Sequence, residues 1–214
     1  MSFAQQDIGN CPPQMLKLLP YPQQAADIVR PLLNSCTLEG YKHFLYMMYH
    51  YTKDSENKLN FAAEKSSLSD LKQYFGNMAK EERGHYILAL KDYEALGGHI
   101  DIETMPISVK NFNDFWYRLG QRDCNEFLGA LYVFESVASL VGDEIKALIK
   151  RLQVTKKQCR WLAVHAEADI EHGDEAAQMC IKYLHRNPQA LLDAATQATD
   201  MWCAVFIDAF SGKK

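Results

Sequence analysis

The sequence predicts an all-α fold, a single bundle of about seven helices. Apolar side chains recur at spacings of three and four along almost every long segment, which is the period of an amphipathic helix. Strand-like alternation of apolar and polar residues is absent from the sequence. The chain has 214 residues and no long linker, so we expect residues 1–214 to form one domain with a sizeable core.

The N-terminal part of the chain predicts an arm followed by two helices. Residues 1–20 are rich in proline, which favours an extended arm that holds one short helix at most. A helix is expected over residues 22–33. Thr37 can cap the next helix, which runs over residues 38–63 with a break near Asp54.

The remaining helices are delimited by start and stop signals. A helix that begins at Ser67 or Ser69 should continue to Ala95, because Gly97-Gly98 supplies a stop. Thr155 and Gln158 have the spacing of a capping box, and Asn187-Pro188 is a second start signal. The other predicted helices span 112–119, 124–152, 155–185 and 188–210.

Composition and charge exclude several classes of function. Hydrophobic residues make up 48% of the chain and its net charge is −4, so nothing favours nucleic acid or an anionic membrane surface. No apolar run approaches the ~20 residues that a membrane helix needs. The polar N-terminus and the irregular spacing of the six cysteines favour a cytoplasmic protein with reduced thiols. We also expect a homodimer.

The most informative residues are candidate metal ligands on three predicted helices. One helix carries Glu82 and His85, a second carries the isolated Glu135, and a third carries His165, Asp169 and His172. Spacings of three, four and seven place side chains on one face of a helix, within roughly 40° of one another. Three histidines and three carboxylates suit two redox-active metal ions inside a helical bundle.

Each pattern has an ordinary structural explanation when it is taken alone. A glutamate and a histidine three residues apart often share a solvated helix face, and a buried glutamate such as Glu135 can pair with a lysine or arginine. Glu39, His43 and His50 also share a face. We interpret these three residues as a polar edge or as hydrogen-bonding neighbours of the site.

Four segments of the sequence resemble the heme-oxygenase-like diiron oxidases, also called iron-containing redox enzymes. The segments are residues 44–51, 78–85, 132–136 and 165–172, and the last of them, with His165, Asp169 and His172, is the most specific. The resemblance covers about residues 37–182. It implies a seven-helix fold shared with heme oxygenase, thiaminase II and pyrroloquinoline-quinone synthase. Some members place the first carboxylate seven residues before the histidine, where this chain has Met78.

The resemblance also implies a site and a chemistry. Its metal ligands fall on Glu82, His85, Glu135, His165, Asp169 and His172, with Glu81 expected to point elsewhere. The implied protein is an O2-activating diiron oxidase or oxygenase, with manganese as a possible substitute for iron. Three carboxylates leave two Fe(II) ions with one surplus positive charge, which favours a small carboxylate-bearing substrate such as a fatty acid or an amino acid. Tyr41, Phe44 and Met48 are the expected substrate pocket.

Two alternatives remain open at this stage. The chain can be a metal-free enzyme on the same fold, similar to pyrroloquinoline-quinone synthase or thiaminase II, that uses acid–base side chains or a cysteine such as Cys124 or Cys159. It can also be a binding protein that keeps the bundle without turnover. The six inward-facing ligand types argue against the second alternative, because a protein without the reaction has no need of buried charges.

Overall fold

A computed structural model of the chain describes residues 12–99, 104–122 and 124–210, and leaves the side chains of residues 124, 125 and 167–170 outside that description. The described residues form ten α-helices and one short 3₁₀ turn, Met15–Lys17, and they contain no strand. The helices are α1 Pro20–Ser35, α2 Leu38–Thr52, α3 Ser55–Lys65, α4 Ser69–Glu81, α5 His85–Ala95, α6 Ile107–Arg122, α7 Cys124–Leu140, α8 Gly142–Leu152, α9 Arg160–Tyr183 and α10 Pro188–Phe210. The all-α prediction is confirmed.

Several predicted boundaries match the structure. The Thr37 hydroxyl caps α2 by accepting a hydrogen bond of 3.1 Å from the backbone N–H of Gly40. The predicted break near Asp54 separates α2 from α3. Within the predicted arm, residues 1–11 lie outside the described part of the chain, but Met15 and Leu18 are fully buried in the bundle.

Two further breaks raise the number of helices above the predicted seven. The predicted helix over 124–152 is interrupted at Val141, which separates α7 from α8. The predicted helix from Ser69 to Ala95 ends at Glu81 and starts again at His85. The Gln158 side chain does accept a hydrogen bond from the N–H of Thr155, yet α9 begins only at Arg160.

Helix α7 lies at the centre of the bundle. It packs against α9 and α10 most extensively, and also against α1, α3 and α6. Its composition explains this position, because apolar residues surround the helix on all sides and a helix of that kind is buried. Helices α2 and α5 pack against each other, and α5 also contacts α9. No described helix has the length and apolar character that crossing a membrane requires.

The break between α4 and α5 depends on Gly84. Its φ of +85° lies in the left-handed region, which glycine adopts at little cost and other residues adopt at a cost of roughly 1–2 kcal/mol. A Cβ added there would meet only the Ile87 side chain, at 3.8 Å. The constraint at this position is therefore conformational rather than steric.

Replacing Gly84 with Ala should lower the free energy of unfolding by about 1 kcal/mol, because alanine must adopt the left-handed conformation. Urea denaturation measures the change. Gly76→Ala is the matched control, since Gly76 lies within α4 with open space around it, and that change should stabilise by roughly 0.5–1 kcal/mol. Equal effects of the two substitutions would contradict the assignment of the break to Gly84.

Candidate metal centre

Glu82 and His85 meet across the joint between α4 and α5. Glu82 follows the last residue of α4, and His85 is the first residue of α5. Glu82 Oε1 lies 3.0 Å from His85 Nδ1, and both side chains are more than four-fifths buried. The prediction that one continuous helix carries both residues is wrong, because the chain turns at Gly84. The turn itself brings the two side chains together.

Protonation at this pair follows from the mutual attraction of the two groups. Burial alone would raise the pKa of Glu82, but the nearby imidazoles of His85, His165 and His172 lower it below the ordinary value. Burial alone would lower the pKa of His85, but the contact with Glu82 raises it. A carboxylate that stays ionised inside the protein is a good ligand for a cation.

His165 completes a group of three ligands. One ligand atom from each of Glu82, His85 and His165 lies within 4.8 Å of the other two. His165 Nδ1 lies 2.8 Å from the carbonyl oxygen of Trp161, so Nδ1 carries the proton and Nε2 remains as the ligand atom. Burial lowers the pKa of His165 to about 4, which keeps the imidazole neutral.

A second group of ligand types surrounds His172. Its Nε2 lies 2.8 Å from Glu81 Oε2 and its Nδ1 lies 3.5 Å from Glu135 Oε2. Glu135 is almost fully buried, and burial raises its pKa although His172 opposes the shift. Asp169 belongs to α9, but its side chain lies outside the described part of the chain.

Glu81 is the residue that the sequence analysis placed wrongly. Its expected direction assumed one uninterrupted helix through residue 85, whereas α4 ends at Glu81 and the chain then turns. Glu81 reaches His172 on α9 with a side chain that is about half exposed. The signal that could have found it is Gly84, a residue that tolerates the left-handed conformation inside an otherwise helical pattern.

Two contacts hold α9 in place beside this site. At its first turn, the backbone N–H of Trp161 donates a hydrogen bond of 2.8 Å to Asp92 Oδ2 of α5. Further along, Gly173 lets α9 approach α7 closely, because an added Cβ would lie 3.3 Å from the carbonyl oxygen of Glu135. Together these contacts place His165 near α5 and His172 near Glu135.

An apolar cavity of about 40 Å³ lies beside His165. Its walls come from α1, α2, α7, α8, α9 and α10, and they include Phe44, Phe134, Trp161 and Trp202. The indole N–H groups of Trp161 and Trp202 have no hydrogen-bond acceptor among the described residues. Of the three residues of the predicted substrate pocket, Phe44 lines this cavity and Tyr41 and Met48 do not.

The other residues of that predicted pocket are placed elsewhere. Tyr41 is buried and its hydroxyl donates a hydrogen bond of 2.9 Å to the carbonyl oxygen of Gln158. Met48 is fully buried in the core. His50 is buried in edge-on contacts with the rings of Tyr46 and Tyr49, so it does not lie at a polar edge, and its role as a hydrogen-bonding neighbour of the site stays a prediction.

A smaller cavity of about 20 Å³ has Phe134 as a lining residue in common with the apolar cavity. Glu82 and Glu135 line it together with Lys58 of α3 and several aromatic and aliphatic side chains. Lys58 is only 3% exposed. Burial lowers its pKa to about 7, although Asp54 and Glu82 act in the opposite direction. Sequence reasoning missed Lys58 entirely.

The donor set and its geometry fit a metal ion, and the comparisons with known proteins agree at the level of the family. The model of the family described as iron-containing redox enzymes matches residues 42–204. The chain belongs to that family. No curated protein matches it.

Solved structures show the same fold at low sequence identity. A domain of unknown function with a heme oxygenase-like fold from Shewanella denitrificans OS217 superposes with a TM-score of 0.79 and 16% identity, over 92% of this chain and 90% of that one. A TenA homologue from P. horikoshii OT3 has a TM-score of 0.76 and 14% identity, over 94% and 99% of the two chains. A TenA homologue from Pseudomonas syringae has a TM-score of 0.71 and 12% identity, over 94% and 91%. The predicted heme-oxygenase-like fold is therefore confirmed.

Replacing Asp92 with Ala should destabilise the protein by about 1–2 kcal/mol, because the N–H of Trp161 at the start of α9 loses its acceptor. Asp92→Asn retains an acceptor oxygen and should cost less. Urea denaturation gives the stability, and hydrogen exchange should show the largest loss of protection in the first turns of α9. A uniform loss across the bundle would contradict the role of Asp92 in holding this helix.

The pKa of Lys58 also predicts a pH dependence of stability. Because its folded pKa of about 7 lies below the ordinary value of 10.5, the unfolded chain binds more protons between these values. The free energy of unfolding should therefore rise with pH from about 7 to 10, by at most about 1.4 kcal/mol per pH unit. Lys58→Met should lack this contribution. Parallel profiles for the parent and the variant would rule out the lowered pKa.

Proposed function

We propose that this protein is an O2-activating oxidase or oxygenase that uses two iron ions and acts on a small carboxylate-bearing molecule. The observation that carries the proposal is the convergence of Glu82, His85 and His165 to within 4.8 Å. The contacts of His172 with Glu81 and Glu135 support a second ion beside the first. Nitrogen and oxygen donors projecting inward from facing helices are typical of carboxylate-bridged iron sites.

The residues divide into two sets around the proposed ions. Glu82, His85 and His165 would hold one ion. His172 would hold the other with Glu81 and Asp169, and the buried Glu135 lies between helices α7 and α9 where it can serve either ion. Iron supplies the one-electron chemistry that reduces O2.

The surrounding residues prepare the site for that chemistry. The bond from His165 Nδ1 to the Trp161 carbonyl oxygen fixes the tautomer and the ring orientation of the ligand. The Trp161 ring stacks on His165 with the centroids 3.9 Å apart, which keeps water from that face. The apolar cavity on the same side offers space for O2 or for the apolar part of a substrate.

The second candidate is a metal-free enzyme, because the TenA homologues have the same fold as this chain. Such an enzyme needs an activated nucleophile or an acid–base pair in the site. Burial raises the pKa of Cys159, which opposes formation of a reactive thiolate. The side chain of Cys124 lies outside the described part of the chain.

Iron uptake tests the proposal directly. Protein loaded anaerobically with Fe(II) should bind about two irons per chain, measured by elemental analysis after removal of excess metal. Glu135→Gln should lower this to about one, because the amide is a poor substitute for a carboxylate ligand. Manganese loaded in the same way tests whether that metal can replace iron.

The control variant is Glu64→Gln, which changes an exposed glutamate and should leave the stoichiometry unchanged. O2 consumption by the reduced protein should depend on the bound iron. Full iron binding by Glu135→Gln would remove Glu135 from the ligand set. Activity in metal-free protein would favour the alternative enzyme.

A further inference from the structure

Lys58 is a buried cation with neutral partners. Its Nζ donates a hydrogen bond of 2.9 Å to Asn113 Oδ1 and a longer one of 3.4 Å to the carbonyl oxygen of Tyr51. The same nitrogen lies 3.9 Å from the centre of the Tyr51 ring. No carboxylate oxygen of the described residues lies within 4.0 Å of it. The charge of Lys58 therefore has no ionic partner among the described residues within that distance.

The small cavity at Lys58 has room for one compact polar group. Lys58, Glu82 and Glu135 line it with the apolar side chains of Leu59, Trp116, Phe127, Leu131 and Phe134. A volume of about 20 Å³ corresponds to one or two water-sized groups. Glu82 and Glu135 each have a histidine within 3.5 Å, whereas Lys58 has no such ionic partner among the described residues. Its ammonium group therefore suits a small anion better than a neutral group.

The balance of charge around the proposed irons also bears on the role of Lys58. Glu81 adds a fourth carboxylate to Glu82, Glu135 and Asp169, so the ligands would fully neutralise two Fe(II) ions. The surplus positive charge inferred from three carboxylates is then absent from the ligand set. Lys58 supplies a positive charge at the edge of the site instead.

We propose that Lys58 binds the carboxylate of the substrate in this cavity, at the edge of the site formed by Glu82 and Glu135. That the bound molecule is a substrate rests on the proposed function. The apolar part of that molecule would lie beyond Phe134, in the cavity lined by Phe44, Trp161 and Trp202. The lowered pKa of Lys58 adds support, because a bound anion would stabilise the ammonium form that burial disfavours.

The sizes of the two cavities limit the length of the ligand. The apolar cavity of about 40 Å³ admits roughly three or four non-hydrogen atoms if each needs about 10–15 Å³. With the carboxylate carbon at Lys58, one carbon between the cavities and three or four carbons in the apolar cavity, the acid would have about five or six carbons. A longer acid requires Phe134 or the walls of the apolar cavity to move.

Binding of hexanoate tests this assignment, with hexan-1-ol as the neutral analogue of similar shape. The chain has three tryptophans: Trp161 and Trp202 line the apolar cavity, and Trp116 lines the smaller one. Tryptophan fluorescence therefore reports binding without turnover. Hexanoate should bind the parent about tenfold more tightly than hexan-1-ol, because only the acid forms a charge-assisted hydrogen bond. Lys58→Met should abolish this preference.

The control variants separate charge from packing. Lys65→Met removes an exposed lysine of the same helix and should retain the preference for the acid. Lys58→Arg keeps the charge and should retain part of the preference if it folds. Circular dichroism establishes folding of each variant. If Lys58→Met does not fold, the comparison of acid with alcohol in the parent still decides whether charge governs binding.

The measurements are made on metal-free and Fe(II)-loaded protein so that the two proposals can fail separately. Failure of the parent to bind iron would overturn the proposed function, while the acid preference of metal-free protein would still support the anion site. The anion site is overturned if hexanoate binds neither form. It is also overturned if folded Lys58→Met keeps the preference, or if hexan-1-ol binds the parent as tightly as hexanoate.

Discussion

The hydrogen bond from the Trp161 N–H to Asp92 joins the two helices that carry His85 and His165. Asp92 belongs to α5, which begins at His85, and Trp161 lies in the first turn of α9, four residues before His165. Burial raises the pKa of Asp92 to about 6, while the Trp161 N–H and Arg160 oppose that shift. A buried carboxylate is costly unless it is satisfied, so this contact holds only when both helices are in place. The rings of His85 and His165, 4.9 Å apart, depend on it.

Features that depend on helical phase could be predicted from the sequence. His165 and His172 share a face of α9 because that helix runs without interruption from Arg160 to Tyr183. The sequence also indicated that Glu135 is buried, because it is the one carboxylate in the apolar stretch 131–140. Secondary structure was predictable for the same reason, since caps and periodic apolar residues are local features.

Features that depend on tertiary contacts could not be predicted in this way. Lys58 follows Ser55, Glu56 and Asn57, a polar stretch that indicates a solvated surface. It is buried because α3 packs against both α4 and α6, and nothing in the local sequence specifies that packing. Glu81 was misplaced for a related reason, because a single backbone angle at Gly84 changes the direction of the residues around it.

The joint between α4 and α5 has a consequence for how such sites vary among proteins. Within a continuous helix each inserted residue rotates everything after it by about 100°, so a carboxylate and a histidine can bind the same metal ion only at a few fixed separations. A non-helical joint removes that restriction, because the turn rather than the helical phase aligns the two side chains. The distance in sequence between these two ligands can then change while both helices keep their packing. A search for related proteins that fixes this separation would miss relatives with the same pair of side chains in space.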